Sequence, residues 1–489
     1  MTQYINGQWT GGAAVESIEV INPATEEIIG AISRGVAADV EAAVAAAKAA
    51  FPGWRQTPAF ERAALLHEVA SQIKTHEAAL SRQLTIEQGK PYIESEEGVY
   101  WSYETFHYYA ELGRAERGRF LTPGDPDQIN FTIKEPYGVV GCIVPWNFPL
   151  LLLAWKVAPA LAAGNTVVIK PSEYTTLTTM LLIEKAFGHL PAGVVNVVTG
   201  YGPEVGETLV RHPDVPMIAF TGSVATGQRI AGIAAPMMKK LNLELGGKDP
   251  LVVAPDVDLI MAVRATAYAG LLNTGQVCTS SERIYVHESR FTQFSEELAD
   301  FVAKLKLGNG LDESTDIGPL MRERFRVKIE NELATATAAG AQVLTGGGRP
   351  AYLPKGYFLE PAVLVNVDHS MSIMREETFG PLLPLMPYRD FDEAIALCND
   401  TTMGLGASLL THDARLVKRF FDQVKAGTIW INDPLTDNWA GPFGGMKMTG
   451  GGRELGQEGL DEFYEVKHVH WDVEGQVKDY WYPYGKDDA

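Results

Sequence analysis

The sequence predicts an α/β protein built on parallel sheets, and three observations carry that expectation. From about Tyr137, apolar strand-like runs alternate with helical ones. Continuous apolar strands separated by helices signal a parallel sheet covered on both faces. A further α/β block runs from about Lys248 to Met448, with strands of its own at 283–286 and 428–431. Finally, 489 residues with 46% hydrophobic and 21% charged side chains have an ordinary globular composition, in a chain too long for one core.

The elements follow in order. Short strands are expected at 18–21 and 28–32, around the turn-like NPATEE. An Ala-rich helix follows, with Asp39 as its expected cap and Val40, Val44, Ala47 and Phe51 on one face. A second helical block turns Leu65, Leu66, Val69 and Ile73 inward. The alternating region gives strands at 139–144, 166–169, 194–198 and 217–221, and helices at 150–161, 175–187, 205–211 and 225–234. Residues 138–155 carry no charge and imitate a membrane span. Pro145 and Pro149 would break a helix there and Asn147 would lie unpaired in lipid, so a buried strand, turn and helix start is the reading. Near the C-terminus, FYEVKHV at 463–469 alternates as a strand does, and the aromatics Tyr480, Trp481, Tyr482 and Tyr484 follow. Exposed aromatics there suggest a contact with another subunit; a tail folded over its own domain is the alternative.

Composition narrows the partners. A net charge of −20 argues against a general nucleic-acid or anionic-membrane surface, which relies on dense Lys and Arg. Three cysteines cannot build a disulfide framework and suit a reducing compartment. The opening MTQYINGQWTGG shows neither a basic stretch nor an apolar one of the secretory kind, so a cytoplasmic location is expected. No metal site is expected.

Cys142, inside the apolar VVGCIV, and Cys398, in a helix-like IALCND, read as small buried hydrophobes. Cys278 differs, because amides and hydroxyls surround it in LNTGQVCTSSER. A thiolate there would be a good nucleophile if its pKa were lowered; these residues alone leave a buried structural thiol equally open. Glu244 sits between two leucines before Gly-Gly. An unpaired carboxylate in that position would have a raised pKa and serve as a general base, whereas an ion pair with a nearby Lys or Arg would make it structural. In PWNFP, two prolines aim Asn147, whose amide is either an oxyanion donor worth roughly 3–4 kcal/mol or a helix cap. No G-x-G-x-x-G or Walker A sequence is present. Gly202 and Gly206 follow one strand, and Gly222 with Ser223 follow the next, where a helix N-terminus would favour phosphate; plain turns explain the glycines as well. Lys170 and Glu173 end the preceding strand, where a ribose could meet them.

Taken together and in order, VPWNFP, IKPSE, GYGPEVG, FTGS, LELGGK, GQVC, EETFGP at 376–381 and PFGGMKMTGGGRELG at 442–456 resemble the aldehyde dehydrogenase superfamily, specifically its hydrolytic, NAD-using branch. The resemblance covers nearly the whole chain. It implies a Rossmann-like dinucleotide-binding domain at 1–118 and 137–246, an α/β catalytic domain at 247–448, and a small β oligomerisation extension at 119–136 and 460–489. It implies that Cys278 attacks an aldehyde, that Asn147 and the Cys278 N–H hold the oxyanion, and that Glu244 activates water to hydrolyse the thioester. Lys156 and Glu454 would carry the proton away. NAD would meet Trp146, Lys170, Ser172, Glu173, Gly202, Gly206, Ser223, Leu245, Glu377 and Phe379, with Glu173 favouring NAD over NADP. A homodimer or homotetramer is implied.

The positions matching the family's aldehyde tunnel are Phe148, Leu152, Trp155, Leu272, Val277, Thr279, Leu435, Asp437, Trp439 and Phe443. This mostly apolar set favours neutral aldehydes, with aminoaldehydes second. Two other activities compete. A CoA-acylating dehydrogenase would generally lack the glutamate at 244. A non-redox thiol hydrolase or acyltransferase would need a histidine beside Cys278.

Overall fold

In the computed structural model, residues 3–13, 15–115, 118–482 and 484 are described. The first sheet has eight strands, in the order Gly450–Gly451, Lys240–Leu245, Met217–Gly222, Val139–Ile143, Thr166–Lys170, Val195–Val197, Gln3–Ile5, Gln8–Thr10. Its five central strands are parallel. They are apolar and buried because helices cover both faces: Pro149–Ala163 and Thr176–Ala186 pack on one side, Ala37–Gln56 and Val224–Ala234 on the other. The chain order of these strands reverses between Val139–Ile143 and Met217–Gly222, which opens a crevice at their carboxyl ends.

The second sheet has seven strands, in the order Gln342–Thr345, Ala362–Val365, Leu382–Tyr388, Ser281–His287, Asp249–Val253, Gly406–Leu410, Thr428–Ile431. All its pairings are parallel except that of Gln342–Thr345 at one edge. A third, antiparallel sheet pairs Tyr464–Asp472 with Gln128–Pro136 across nine residues each, and Phe120–Leu121 adds to the far side.

Most expected elements stand within two or three residues of their sequence positions. Residues 138–155 form the strand Val139–Ile143, a turn, and the start of the helix Pro149–Ala163, with Pro149 in its first turn, where a missing N–H costs nothing. No helix among the described residues is long and apolar enough to cross a membrane. Cys142 and Cys398 are buried, and burial pushes both thiols up to about 12.

Three details differ. The first helix starts at Ala37 with Val36 as its cap; Asp39 lies inside the first turn and accepts from the Val36 N–H at 2.9 Å and from the Ala13 N–H at 2.8 Å. Asp39 therefore reaches back to the cap instead of being it. The helix expected at 205–211 begins earlier, as a wide turn over Gly202–Gly206 that runs into Glu207–Arg211. The strands Gln3–Ile5 and Gln8–Thr10, missing from the sequence reading, complete the sheet through the pairing of Tyr4 with Val197.

Candidate active site

Cys278 lies in the loop between the helix Leu259–Leu271 and the strand Ser281–His287 of the second sheet. Its loop is strained: Asn273 (φ 50°), Thr274 (φ 60°) and Gly275 (φ 71°) are all left-handed. Threonine in that region is held only where its surroundings insist. Here the Thr274 hydroxyl donates to Gly318 O at 3.0 Å, and the Gln276 amide donates to Asn273 O at 2.9 Å. The Gly275 hydrogen faces Gly380 O, which a β-carbon would meet at 2.4 Å.

Two cavities meet at the Cys278 side chain. One is lined by Phe148, Leu152, Trp155, Leu272, Val277, Thr279, Leu435, Asp437 and Phe443. It also has a wall that sequence reasoning missed: Glu94, Glu97, Trp101, Leu151 and Tyr268. Trp439 is not on the lining; it packs against Trp101, ring centroids 4.3 Å apart. The other cavity is lined by Trp146, Asn147, Gly222, Ser223, Leu245, Gly246, Glu377 and Phe379. It adjoins a trough over the crevice of the first sheet, where Lys170, Ser172, Glu173, Gly202 and Gly206 lie. The PWNFP turn divides the two, with Trp146 and Asn147 on the trough side and Phe148 on the other.

The trough suits a dinucleotide. Ser223 caps the helix Val224–Ala234, its hydroxyl accepting from the Thr226 N–H, so a helix N-terminus faces the crevice. Lys170 Nζ lies 3.3 Å from the Glu173 carboxylate at the far end. Near Cys278, the Gly247 N–H donates to Glu377 at 3.2 Å, and a β-carbon on Gly246 would come within 2.4 Å of the same carboxylate. Burial, then the neighbouring Glu282, pushes Glu377 up to about 8. The Glu377–Phe379 segment is clamped from below: the Glu282 carboxylate accepts from the Thr378 and Phe379 N–H groups at 2.8 and 2.7 Å and from Lys248 Nζ at 2.6 Å. Trp146 stacks on Phe325 and meets Phe379 edge-on.

Glu244 is the most unusual group. It lies on the strand Lys240–Leu245, is buried, and neither carboxyl oxygen has a hydrogen-bond partner. Burial holds its pKa well above the carboxylate range, Glu454 adds to this, and Lys156 opposes it. The ion-pair alternative therefore falls away. The Cys278 thiol lies close enough to pull the Glu244 pKa back slightly, and burial followed by the Glu244 charge raises the thiol in turn. Behind Glu244, Lys156 Nζ is bonded to Glu454 and donates to the Thr221 hydroxyl at 2.6 Å. The second Glu454 oxygen is buried without a partner. Asn147 is buried, and its side-chain N–H₂ donates to Gln276 O at 3.1 Å instead of capping the helix behind it.

The aldehyde dehydrogenase family model matches residues 9–469 of the chain. The chain belongs to the aldehyde dehydrogenase family. Among curated relatives it is 41% identical over 476 residues to the peroxisomal aminoaldehyde dehydrogenase 2 of Pisum sativum, covering 95% of this chain and 94% of that protein. It is likewise 41% identical to betaine aldehyde dehydrogenase 1 of Oryza sativa subsp. japonica, with the same coverage. The crystal structure of betaine aldehyde dehydrogenase from Staphylococcus aureus in complex with NAD+ is 39% identical, with a TM-score of 0.96 over 98% of this chain and 96% of that one. The fold is that of the family, as the sequence motifs implied.

Proposed function

We propose that the chain oxidises a cationic aldehyde to the carboxylic acid with NAD and water, through Cys278. The observation that carries this reading is the position of one thiol where a carboxylate- and aromatic-lined cavity meets the second cavity, which adjoins the trough over the first sheet. The Cys278 sulfur adds to the aldehyde carbon, and its proton passes to the Glu244 carboxylate, whose raised proton affinity makes it a fit acceptor. The Asn147 amide and the Cys278 N–H hold the new oxyanion. Bound NAD supplies an acceptor for the hydride that leaves the carbonyl carbon. Cys278 then holds a thioester. Lys156 and Glu454 pass the thiol's proton outward, so that Glu244 is ionised again. Glu244 then takes a proton from the water that attacks the thioester and returns it to the Cys278 sulfur as the acid departs, which restores the thiol. Trp146, Lys170, Ser172, Glu173, Gly202, Gly206, Ser223, Leu245, Glu377 and Phe379 hold the cofactor; Phe148, Trp155 and Phe443 hold the aldehyde.

The missed wall changes the substrate preference. Glu94, Glu97 and Asp437 share one cavity with Trp101, Trp155 and Tyr268, a combination that selects an ammonium group by charge and by π-faces. Burial pushes Glu94 and Asp437 up to about 7 each, and a bound cation would favour their ionised forms. The names of the plant and bacterial relatives agree with this class. We therefore place aminoaldehydes and trimethylammonio-aldehydes ahead of the neutral aldehydes that the sequence favoured.

Glu244 beside Cys278 supports hydrolysis over CoA acylation. Among the described residues no histidine lines the cavities, which removes the support for a non-redox hydrolase. We also assign dinucleotide binding to 1–118 and 137–246, catalysis to 247–448 and subunit contacts to 119–136 and 460–489. Three free cysteines support a reducing, cytoplasmic setting.

Absorbance at 340 nm with NAD tests the reading against matched cationic and neutral aldehydes. We expect kcat/KM at least about tenfold higher for the cations, and loss of nearly all turnover in Cys278→Ser with NAD binding retained. Equal rates for the two classes would remove the cation claim, and substantial turnover in Cys278→Ser would remove the nucleophile.

A further inference from the structure

We propose that Lys90 and Asn273 are positioning residues that lock the Asn147 turn to the Cys278 loop and so aim the Asn147 amide at the reacting carbonyl. The inference rests on the reading of Asn147 as an oxyanion donor. Lys90 follows the helix Glu77–Gln88 and left-handed Gly89, and is buried. Its Nζ donates to the Asn147 backbone carbonyl at 2.8 Å and stands 3.7 Å from the centre of the Phe148 ring. It therefore grips the turn at Asn147 and Phe148 together.

Asn273 reaches the same carbonyl from the other side. Its side-chain N–H₂ donates to Asn147 O at 3.3 Å and to Gln276 O at 3.2 Å, which uses both hydrogens. Gln276 O also accepts one hydrogen of the Asn147 amide. The second Asn147 hydrogen remains for an oxyanion, and its direction is set by the first. Asn273 is itself fixed from three sides. Gln88 donates to its Oδ1 at 2.8 Å, the Glu94 carboxylate accepts from its N–H at 3.0 Å, and its left-handed backbone allows the side chain to face the turn. Gln88 closes the ring by accepting from the Lys90 N–H at 3.0 Å. An oxyanion donor acts only if it is already in place when charge develops, to within about 0.5 Å. Neither the nucleophile nor Asn147 could supply that rigidity alone, since both sit on irregular segments.

The test is a set of double-variant cycles. Lys90→Met keeps the length of the side chain without its donor. Asn273→Gly removes the bridging amide at a position whose φ of 50° suits glycine, so the backbone need not move. Each is made alone and with Asn147→Ala, and kcat/KM and the rate of the first hydride burst are measured at 340 nm. NAD affinity and thermal melting report the fold. Asn147→Ala should lose about 100-fold or more. Each positioning variant should lose about tenfold, and almost nothing further once Asn147 is alanine, because the residue through which it acts is gone. Losses that multiply in the double variants would overturn the proposal, as would wild-type rates in Asn273→Gly. Wild-type rates in Asn147→Ala would instead overturn the oxyanion reading beneath it. If Lys90→Met does not fold, Asn273→Gly carries the test by itself.

Discussion

At the residue scale, the chemistry rests on groups whose protonation the fold has shifted. Glu244 is held above the carboxylate range by burial and by Glu454. A general base works only when it has lost its proton, so kcat should fall as pH drops through that raised pKa and level off above it. The substrate cavity adds a second limb. Burial pushes Glu94 and Asp437 up to about 7, and each attracts a cation only when ionised. Hence kcat/KM for a trimethylammonio-aldehyde, whose charge is permanent, should fall more steeply below pH 7 than kcat/KM for a neutral aldehyde of the same length. Parallel profiles would show that these carboxylates do not meet the substrate. Both Glu94 and Lys90 were invisible to motif reasoning: Lys90 lies in the short link between the helices Glu77–Gln88 and Tyr92–Leu112 and Glu94 in the first turn of the second, far in sequence from the loop they meet. In contrast Glu244 stood out between two leucines, Asn147 between two prolines, and Cys278 among amides and hydroxyls.

At the scale of elements, the site is made where strands end. The parallel strands were legible because they are buried on both faces and so read as continuous apolar runs. The strands Gln3–Ile5 and Gly450–Gly451 were not, being short and paired with partners about 190 and 210 residues distant. Gly450 lies opposite Glu244, and a β-carbon there would sit 2.0 Å from Leu243 O. Its φ of 113° adds strain for any other residue. Gly450→Ala should therefore destabilise the protein by roughly 1–3 kcal/mol, read as a fall in denaturation midpoint. Gly246→Ala acts on the cofactor side. Its β-carbon would displace the Glu377 carboxylate, so KM for NAD should rise severalfold while the melting temperature changes little. An unchanged KM would place Glu377 outside the cofactor site.

At the scale of the whole molecule, the three-stranded sheet stands apart from both larger sheets and leaves apolar side chains uncovered. Phe120 is 83% exposed, Val466 68% and Trp471 53%, and Tyr480, Trp481, Tyr482 and Tyr484 are exposed beyond them. Patches of this kind mark subunit contacts. Light scattering should give a dimer or tetramer, and deletion of residues 460–489 should reduce it to smaller species; a monomeric full-length chain would contradict the assignment of this sheet. The pairing of FYEVKHV with a strand some 330 residues earlier was expected from the family resemblance, not from any local pattern.

The central claim is that a carboxylate frees a thiol that has become acylated. Peptide mass spectrometry of Glu244→Gln, quenched after mixing with NAD and a cationic aldehyde, tests it most directly. Given time for the first step, which the variant slows because Glu244 also takes the thiol proton, the peptide bearing Cys278 should gain the mass of the acyl group in near-stoichiometric yield, matched by one equivalent of NADH. An unmodified Cys278 peptide in a variant that has formed that NADH, or an acyl group on another residue, would contradict the account.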